Sequence, residues 1–279
     1  MWRDLLNANS RYIHFIQVIR KMAMKLILWC SALLLACSTL NAAVIEKKLS
    51  LPNKLGAAVL YSNDQTNKPG PAVVVVHEWW GLNDYARGRA RQLAELGYTA
   101  IAVDMYGNGK STTHPKDAMG FMNAALAKPE KMNARFDGAL TILRQQKFVN
   151  QYKLYAIGYC FGGAVVLNQA RRGLDLAGVA SFHGSLGAEN KAAPGSVKAR
   201  ILVATGGADP MVPAAQVGAF VEEMSTTGVA LQLLSFPGVL HGFTNPGATA
   251  MGQQNKMPLA YNENADKVSW AALLDMLAD

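Results

Sequence analysis

The sequence predicts an α/β protein: a single domain built on a mostly parallel central sheet with helices on both faces. Three observations carry that reading. Short β-branched runs alternate with helix-length segments from residue 72 onward, the pattern of a parallel sheet covered on both sides. One run, residues 72–76, is apolar without interruption, as a strand buried on both faces should be. Chemistry-bearing residues recur directly after the strand-like runs, at the sheet edge where such folds collect functional groups.

The chain has 279 residues, 51% of them hydrophobic and 16% charged, ample material for a core. Its formal charge of +8 is concentrated at the N-terminus. Arg3, Arg11, Arg20, Lys21 and Lys25 face only Asp4 within residues 1–43, so the remainder carries +4. No Lys/Arg block interleaved with aromatics remains there, which argues against a nucleic-acid surface.

Residues 1–43 read as an N-terminal extension and signal peptide. Lys21 and Lys25 precede an apolar run at 26–36, and small residues follow at Ala42 and Ala43, the order of a secretory leader. The run is shorter than the roughly 20 residues that span a bilayer. Export to a bacterial periplasm or secretion is therefore expected, with no transmembrane span in the mature chain. Met22 and Met24 stand just before the apolar run and are alternative starts. Leu34-Leu35-Ala36-Cys37 also resembles a lipobox, so a lipid anchor at Cys37 is the second reading. Cys30 and Cys37 both lie in the leader, which leaves Cys160 as the one thiol of residues 44–279. An unpaired cysteine in an exported protein is either employed or buried.

Segments 45–51 and 55–61, separated by Pro52-Asn53, read as an edge hairpin. After a polar loop and the 72–76 strand comes His77-Glu78-Trp79-Trp80-Gly81. Asn83 caps a helix over 85–96 that Gly97 closes. A strand at 98–103 ends in Asp104-Met105-Tyr106-Gly107, and helical material runs to about residue 146. The strand at 153–157 then turns through Gly158-Tyr159-Cys160-Phe161-Gly162-Gly163 into a helix at 164–170. Strands follow at 176–182, ending in His183-Gly184, and at 200–205, ending in Gly206-Gly207-Ala208-Asp209. A helix at 214–226, a strand at 230–236, a loop holding His241 and a helix at 265–277 complete the chain. No linker, low-complexity tract or repeat interrupts residues 44–279, so they form one domain.

The strand-turn-helix at 158–163 has the form of a nucleophile elbow with cysteine as nucleophile. Small flanking residues let strand and helix approach closely. The helix N-terminus then aims its partial positive charge at a thiolate and at an oxyanion formed beside it. The other reading is a structural cysteine in a Gly-rich turn. Chain order adds weight: nucleophile Cys160, acid Asp209, then His241 is the order of α/β hydrolases. In that arrangement Cys160 attacks a carbonyl, His241 takes its proton or pairs with the thiolate, and Asp209 orients the imidazole. The backbone N–H groups of Trp79 and Phe161 form the oxyanion hole. Singly, Asp209 before Pro210 also reads as a turn residue, and His241 as an ordinary loop histidine. No pair of histidines has metal-ligand spacing, so neither a metal nor another cofactor is expected.

Five motifs together, His77-Glu78-Trp79-Trp80-Gly81-Leu82-Asn83, Val103-Asp104-Met105-Tyr106-Gly107, Gly158 to Gly163, Ala208-Asp209-Pro210 and His241-Gly242-Phe243, resemble the dienelactone hydrolase family across nearly all of residues 44–279. The resemblance implies a single-domain α/β-hydrolase fold, a Cys-His-Asp triad of Cys160, His241 and Asp209, and a role for Glu78 beside the nucleophile in controlling thiol ionisation. A nearby carboxylate opposes thiolate formation by like-charge repulsion; the alternative for Glu78 is a carboxylate capping loop amides. The pattern departs where family members hold a substrate carboxylate with two arginines. Those positions are Asn108 and Asn245 here, and Asn does not replace an arginine fork; Lys110 is close enough in sequence to stand in for one. Trp79, Trp80, Tyr106 and His183 are candidates for a more apolar pocket, or simple packing residues. The expected partner is a small ester or lactone, cleaved through an acyl-thioester. A protein of this fold that binds without turnover is the alternative; a thiol-redox role lacks a resolving cysteine.

Overall fold

The computed structural model describes residues 43–64 and 68–278. The leader features at Lys21, Met22, Met24, Lys25, Cys30, Cys37 and Ala42 lie outside them. The described residues belong to one compact unit.

Strands β1 (Val44–Ser50) and β2 (Ala57–Asn63) are joined through a 3-10 turn at Pro52–Lys54. They are followed by β3 (Gly70–Val76), β4 (Thr99–Val103), β5 (Val149–Tyr159), β6 (Gly178–Phe182), β7 (Arg200–Gly206) and β8 (Leu231–Phe236). They form one sheet in the order β1-β2-β4-β3-β5-β6-β7-β8. β2 runs antiparallel to both neighbours, and the other pairings are parallel. The edge hairpin and the parallel core thus follow the sequence expectation.

The uninterrupted apolar run of β3 is explained by burial on two sides. Ala72, Val74 and Val76 join the core on one face, and Val73 and Val75 join the core on the other, the two-residue alternation of a strand. Helices α3 (Pro129–Arg144), α4 (Phe161–Arg171) and α5 (Ala214–Thr227) cover the first face through Phe136, Leu140, Val166 and Phe220. Helices α1 (Asp84–Glu95) and α7 (Glu263–Ala278) cover the second through Ala90, Leu93, Leu273 and Leu277. The Asn83 side chain caps α1 by accepting from the Ala86 N–H at 3.3 Å.

Three details depart from the sequence expectation. The helical material up to about residue 146 is two helices, α2 (Pro115–Leu126) and α3, each opened by a proline in its first turn. β5 begins four residues earlier than expected, because its first stretch is polar and carries the almost fully exposed Tyr152. A short helix, α6 (Ala248–Asn255), follows His241; its only buried residues are Ala248 and Gly252, so it has no apolar stripe to betray it.

Candidate active site

Cys160 occupies the single residue between β5 and α4, with φ 52° and ψ −116°. Such a conformation costs a non-glycine residue on the order of 1–3 kcal/mol and persists only where surrounding packing fixes it. That packing is backbone on backbone. A Cβ added at Gly158 would lie 2.0 Å from the Gly162 carbonyl oxygen, and one at Gly162 would lie 2.4 Å from the Val76 oxygen. The Cys160 N–H donates to the Phe182 carbonyl of β6 at 3.0 Å. The thiol is free and half-buried, at the positive end of α4. Among the described residues, neither the Phe161 N–H nor the Trp79 N–H has a hydrogen-bond acceptor. Both donors assigned to the oxyanion hole are therefore unspent.

Asp209 lies beyond β7, where its Oδ1 accepts from the Met211 N–H at 2.8 Å. Its Oδ2 accepts from His241 Nδ1 at 2.7 Å, with both side chains buried. This bond fixes the imidazole and leaves Nε2 as its working atom. Among the described residues Nε2 is buried without a hydrogen-bond partner, and the Cys160 charge acts on the ring. Burial works against the imidazolium, but the Cys160 charge and the Asp209 hydrogen bond outweigh it and raise His241 to about 10. The imidazolium is the form of His241 this environment favours.

Glu78 follows β3 and is buried. Desolvation raises its carboxyl to about 7, opposed by the Asn245 hydrogen bond and by the charges of His241 and Arg89. Asn245 Nδ2 donates to Glu78 Oε2 at 2.7 Å, while Asn245 Oδ1 accepts from the Gly247 N–H. Asn245 is thus engaged in holding Glu78. Glu78 does not cap loop amides with its carboxylate; Asp104 does, accepting from the N–H groups of Tyr106, Gly107 and Gly109, each at 2.9 Å.

His183 packs edge-on against His241 with ring centroids 5.0 Å apart. Its Nε2 shares a 2.8 Å hydrogen bond with Thr244 Oγ1. Burial, with the His241 charge next, pushes its pKa well below the ordinary histidine range, so it stands beside His241 as a neutral ring. Trp80 is buried with Ala118, Ala248 and Leu259. Tyr106 donates its hydroxyl to the Trp79 carbonyl at 2.9 Å. Asn108, Tyr106 and Lys110 line a recess of about 210 Å³ whose walls include neither Cys160 nor His241. Lys110 there sits 5.4 Å from the Phe121 ring centroid.

The cavity that does contain Cys160 and His241 has a volume of about 700 Å³. Trp80, Tyr106, Asn108, His183 and Asn245, the residues expected in the substrate pocket, do not line it. Its walls come from α2, α3, α4 and the loops after β6 and β7. Sequence reasoning gave no signal for that, because apolar residues on helices announce only a core.

Reasoning from sequence also passed over a buried polar relay behind the site. Arg89 of α1 pairs with Asp266 of α7 and donates to the Thr244 carbonyl. The Tyr85 and Thr244 hydroxyls lie 2.6 Å apart, and Thr244 meets His183. His77 bridges two loops: its Nε2 accepts from the Met105 N–H at 3.1 Å, so Nδ1 carries the proton it donates to the Glu78 carbonyl. The buried Arg89 could have been suspected from its position on the apolar stripe of α1; nothing in the sequence marks Thr244. Among the described residues, no group of three His, Cys, Asp or Glu is arranged to hold a metal ion.

Comparison with known proteins adds to this geometry. A family model described as "Dienelactone hydrolase family" matches residues 57–279. A solved structure of a dienelactone hydrolase-like promiscuous phosphotriesterase from metagenomic libraries superposes with a TM-score of 0.78 at 32% identity. That match covers 85% of this chain and 98% of the other. A protein named putative carboxymethylenebutenolidase from Aquifex aeolicus is 27% identical over 63% of this chain and 78% of its own. A carboxymethylenebutenolidase from Pseudomonas putida is 30% identical over 52% of this chain and 64% of its own.

Proposed function

Because this chain belongs to the dienelactone hydrolase family, and is on that ground a carboxylic ester or lactone hydrolase, we propose that it acts through a Cys160 thioester with His241 and Asp209. The observation that carries this reading is His241, held by Asp209 at 2.7 Å on one nitrogen and lining one cavity with Cys160. The Cys160 thiolate adds to the ester carbonyl carbon, and the C=O electron pair moves onto oxygen, which the Trp79 and Phe161 N–H groups receive. Collapse expels the alkoxide, which leaves with the proton from His241 Nε2. Water then gives a proton to His241 and attacks the thioester, releasing the acid and restoring the thiolate.

Glu78, with its carboxyl raised to about 7, is the group we assign to control of thiol ionisation, acting through the His241 charge. Asn108 and Asn245 stand where family members carry carboxylate-binding arginines, so the preferred substrate is uncharged at that end. Comparable turnover of dienelactone and its methyl ester supports this; strong preference for the charged form refutes it.

The primary test is hydrolysis of short p-nitrophenyl esters and simple lactones by the full chain and by Cys160→Ala across pH 5–9. Activity lost in the variant, with an acyl-thioester trapped at Cys160 and seen by mass spectrometry, supports the reading; equal activity in both overturns it. Because one solved relative is described as a phosphotriesterase, a neutral aryl phosphotriester belongs in the same panel. We also propose that residues 1–43 direct export, resting on the Lys21/Lys25 and 26–36 pattern. N-terminal sequencing of the protein recovered from the periplasm, with a start near residue 44, is the expected result; a Cys37 start would favour lipidation instead.

A further inference from the structure

Resting on the cysteine-hydrolase reading, we propose that the substrate is an uncharged ester carrying an extended apolar portion, which lies in the cavity beside Cys160 and His241. At about 700 Å³ the cavity is far larger than an acetyl ester or small lactone requires, and falls in the range of pockets that bury drug-sized ligands. Part of its wall is apolar: Met122 and Leu126 of α2, Met132 of α3, Phe161 and Val165 of α4, and Val212. Three of the cavity's side chains, with Met211, are unbranched methionines, which adapt to ligands of varied shape.

Both arginines of the lining are already paired. Arg171 is spent on both Glu223 oxygens at 2.8 Å, on Asn168 and on the Leu186 carbonyl. Arg172 is spent on Asp137 and Gln169. Lys191 and Glu189 are both exposed in the same lining. The cations Lys110, Lys128 and Lys131 belong to the separate recess. A carboxylate lying along the apolar part of the wall would lose water and find both arginines of the lining already paired, which is unfavourable. An alkyl or aryl group would gain from the same surface. Two of the apolar lining residues, Leu126 and Met211, remain 49% and 39% exposed, so the apolar wall reaches the surface.

The test is a chain-length series of p-nitrophenyl esters, acetate to octanoate, with an ω-carboxylate ester of matching length, assayed on the full chain. Burying each added methylene should raise kcat/KM roughly fourfold until the cavity is filled. The ω-carboxylate should lose about tenfold or more against its uncharged counterpart. Leu126→Asp and Met211→Asp, both at the exposed rim, should each cut the octanoate-to-acetate ratio about tenfold. Ala164→Trp, which fills the cavity from α4, should abolish the chain-length preference. A flat or falling profile, with acetate still cleaved in a Cys160-dependent way, overturns this inference and leaves the nucleophile assignment standing. Absence of any Cys160-dependent cleavage across the series overturns the hydrolase mechanism, and the inference with it.

Discussion

Replacing Glu78 by glutamine isolates the cost of keeping a carboxylate buried behind the triad. The side chain is buried, and desolvation lifts it from 4.5 to about 7. Between those values the folded protein holds a proton that the unfolded chain has lost, so unfolding releases it. Stability therefore falls as pH rises, by about 1.4 kcal/mol per pH unit. The favourable contribution is complete below about pH 4.5 and gone above about pH 7, a total near 3 kcal/mol. Glutamine keeps the shape and can still accept from Asn245 Nδ2, but it does not titrate. Urea unfolding of the full chain, followed by tryptophan fluorescence at steps from pH 4 to 8.5, should give a wild-type-minus-variant stability that declines by about 3 kcal/mol across that window. In thermal melts this is about 6–12 °C for a domain of this size. Other titrating groups cancel in the difference. A difference constant to within about 0.5 kcal/mol would show that Glu78 is solvated, or paired differently, and would refute the reasoning.

Asn245→Ala removes a hydrogen bond that favours the charged Glu78, so the same difference curve should step at a higher pH than in the parent; an unmoved step counts against the contact. Asp209→Asn should lower kcat on the order of 10³–10⁴-fold, by leaving the His241 imidazole in the wrong tautomer, while the melting temperature barely changes; kinetics paired with a melt checks both. Gly162→Ala drives a methyl into the Val76 carbonyl and should cost about 1–3 kcal/mol in urea. Arg89→Met strands the mostly buried Asp266 without its partner and should destabilise by about 3–5 kcal/mol near neutrality, shrinking in acid as Asp266 protonates.

What could be read from the sequence is what local chemistry dictates. The β3 run, the Asn83 cap and the elbow at Cys160 each follow from residue type and spacing, and each reappears in the fold. The pairing of Asp209 with His241 was legible because both close strands of one parallel sheet, so topology brings them to one edge. The pocket was not legible in the same way. Trp80 and His183 also follow strands, yet they turn into packed interiors: Trp80 against α2 and α6, His183 against Tyr159, His241 and Phe243. Asn245 shows the limit most clearly. Its place in the motif identified what it is not, an arginine, but only its 2.7 Å contact to Glu78 shows what it does. Nothing in a helical apolar stripe says whether the space that Met132 or Val165 faces is filled.

The backbone contacts at the elbow tie the nucleophile to the middle of the sheet. Cys160 is flanked by Gly158, which pairs with Val76 of β3 and Ser181 of β6, and by Gly162, which rests on the Val76 carbonyl. The turn cannot relax toward an ordinary conformation unless β3, β5, β6 and α4 move apart together. Amide hydrogen exchange at residues 156–160, whose N–H groups are held in the sheet, should thus proceed only through the largest opening events of the molecule, and no temperature range should exist in which the sheet persists while the turn at Cys160 has melted. In a protein built this way, the geometry of the thiol is a property of the whole domain, and its decay on heating reports the lifetime of the fold itself.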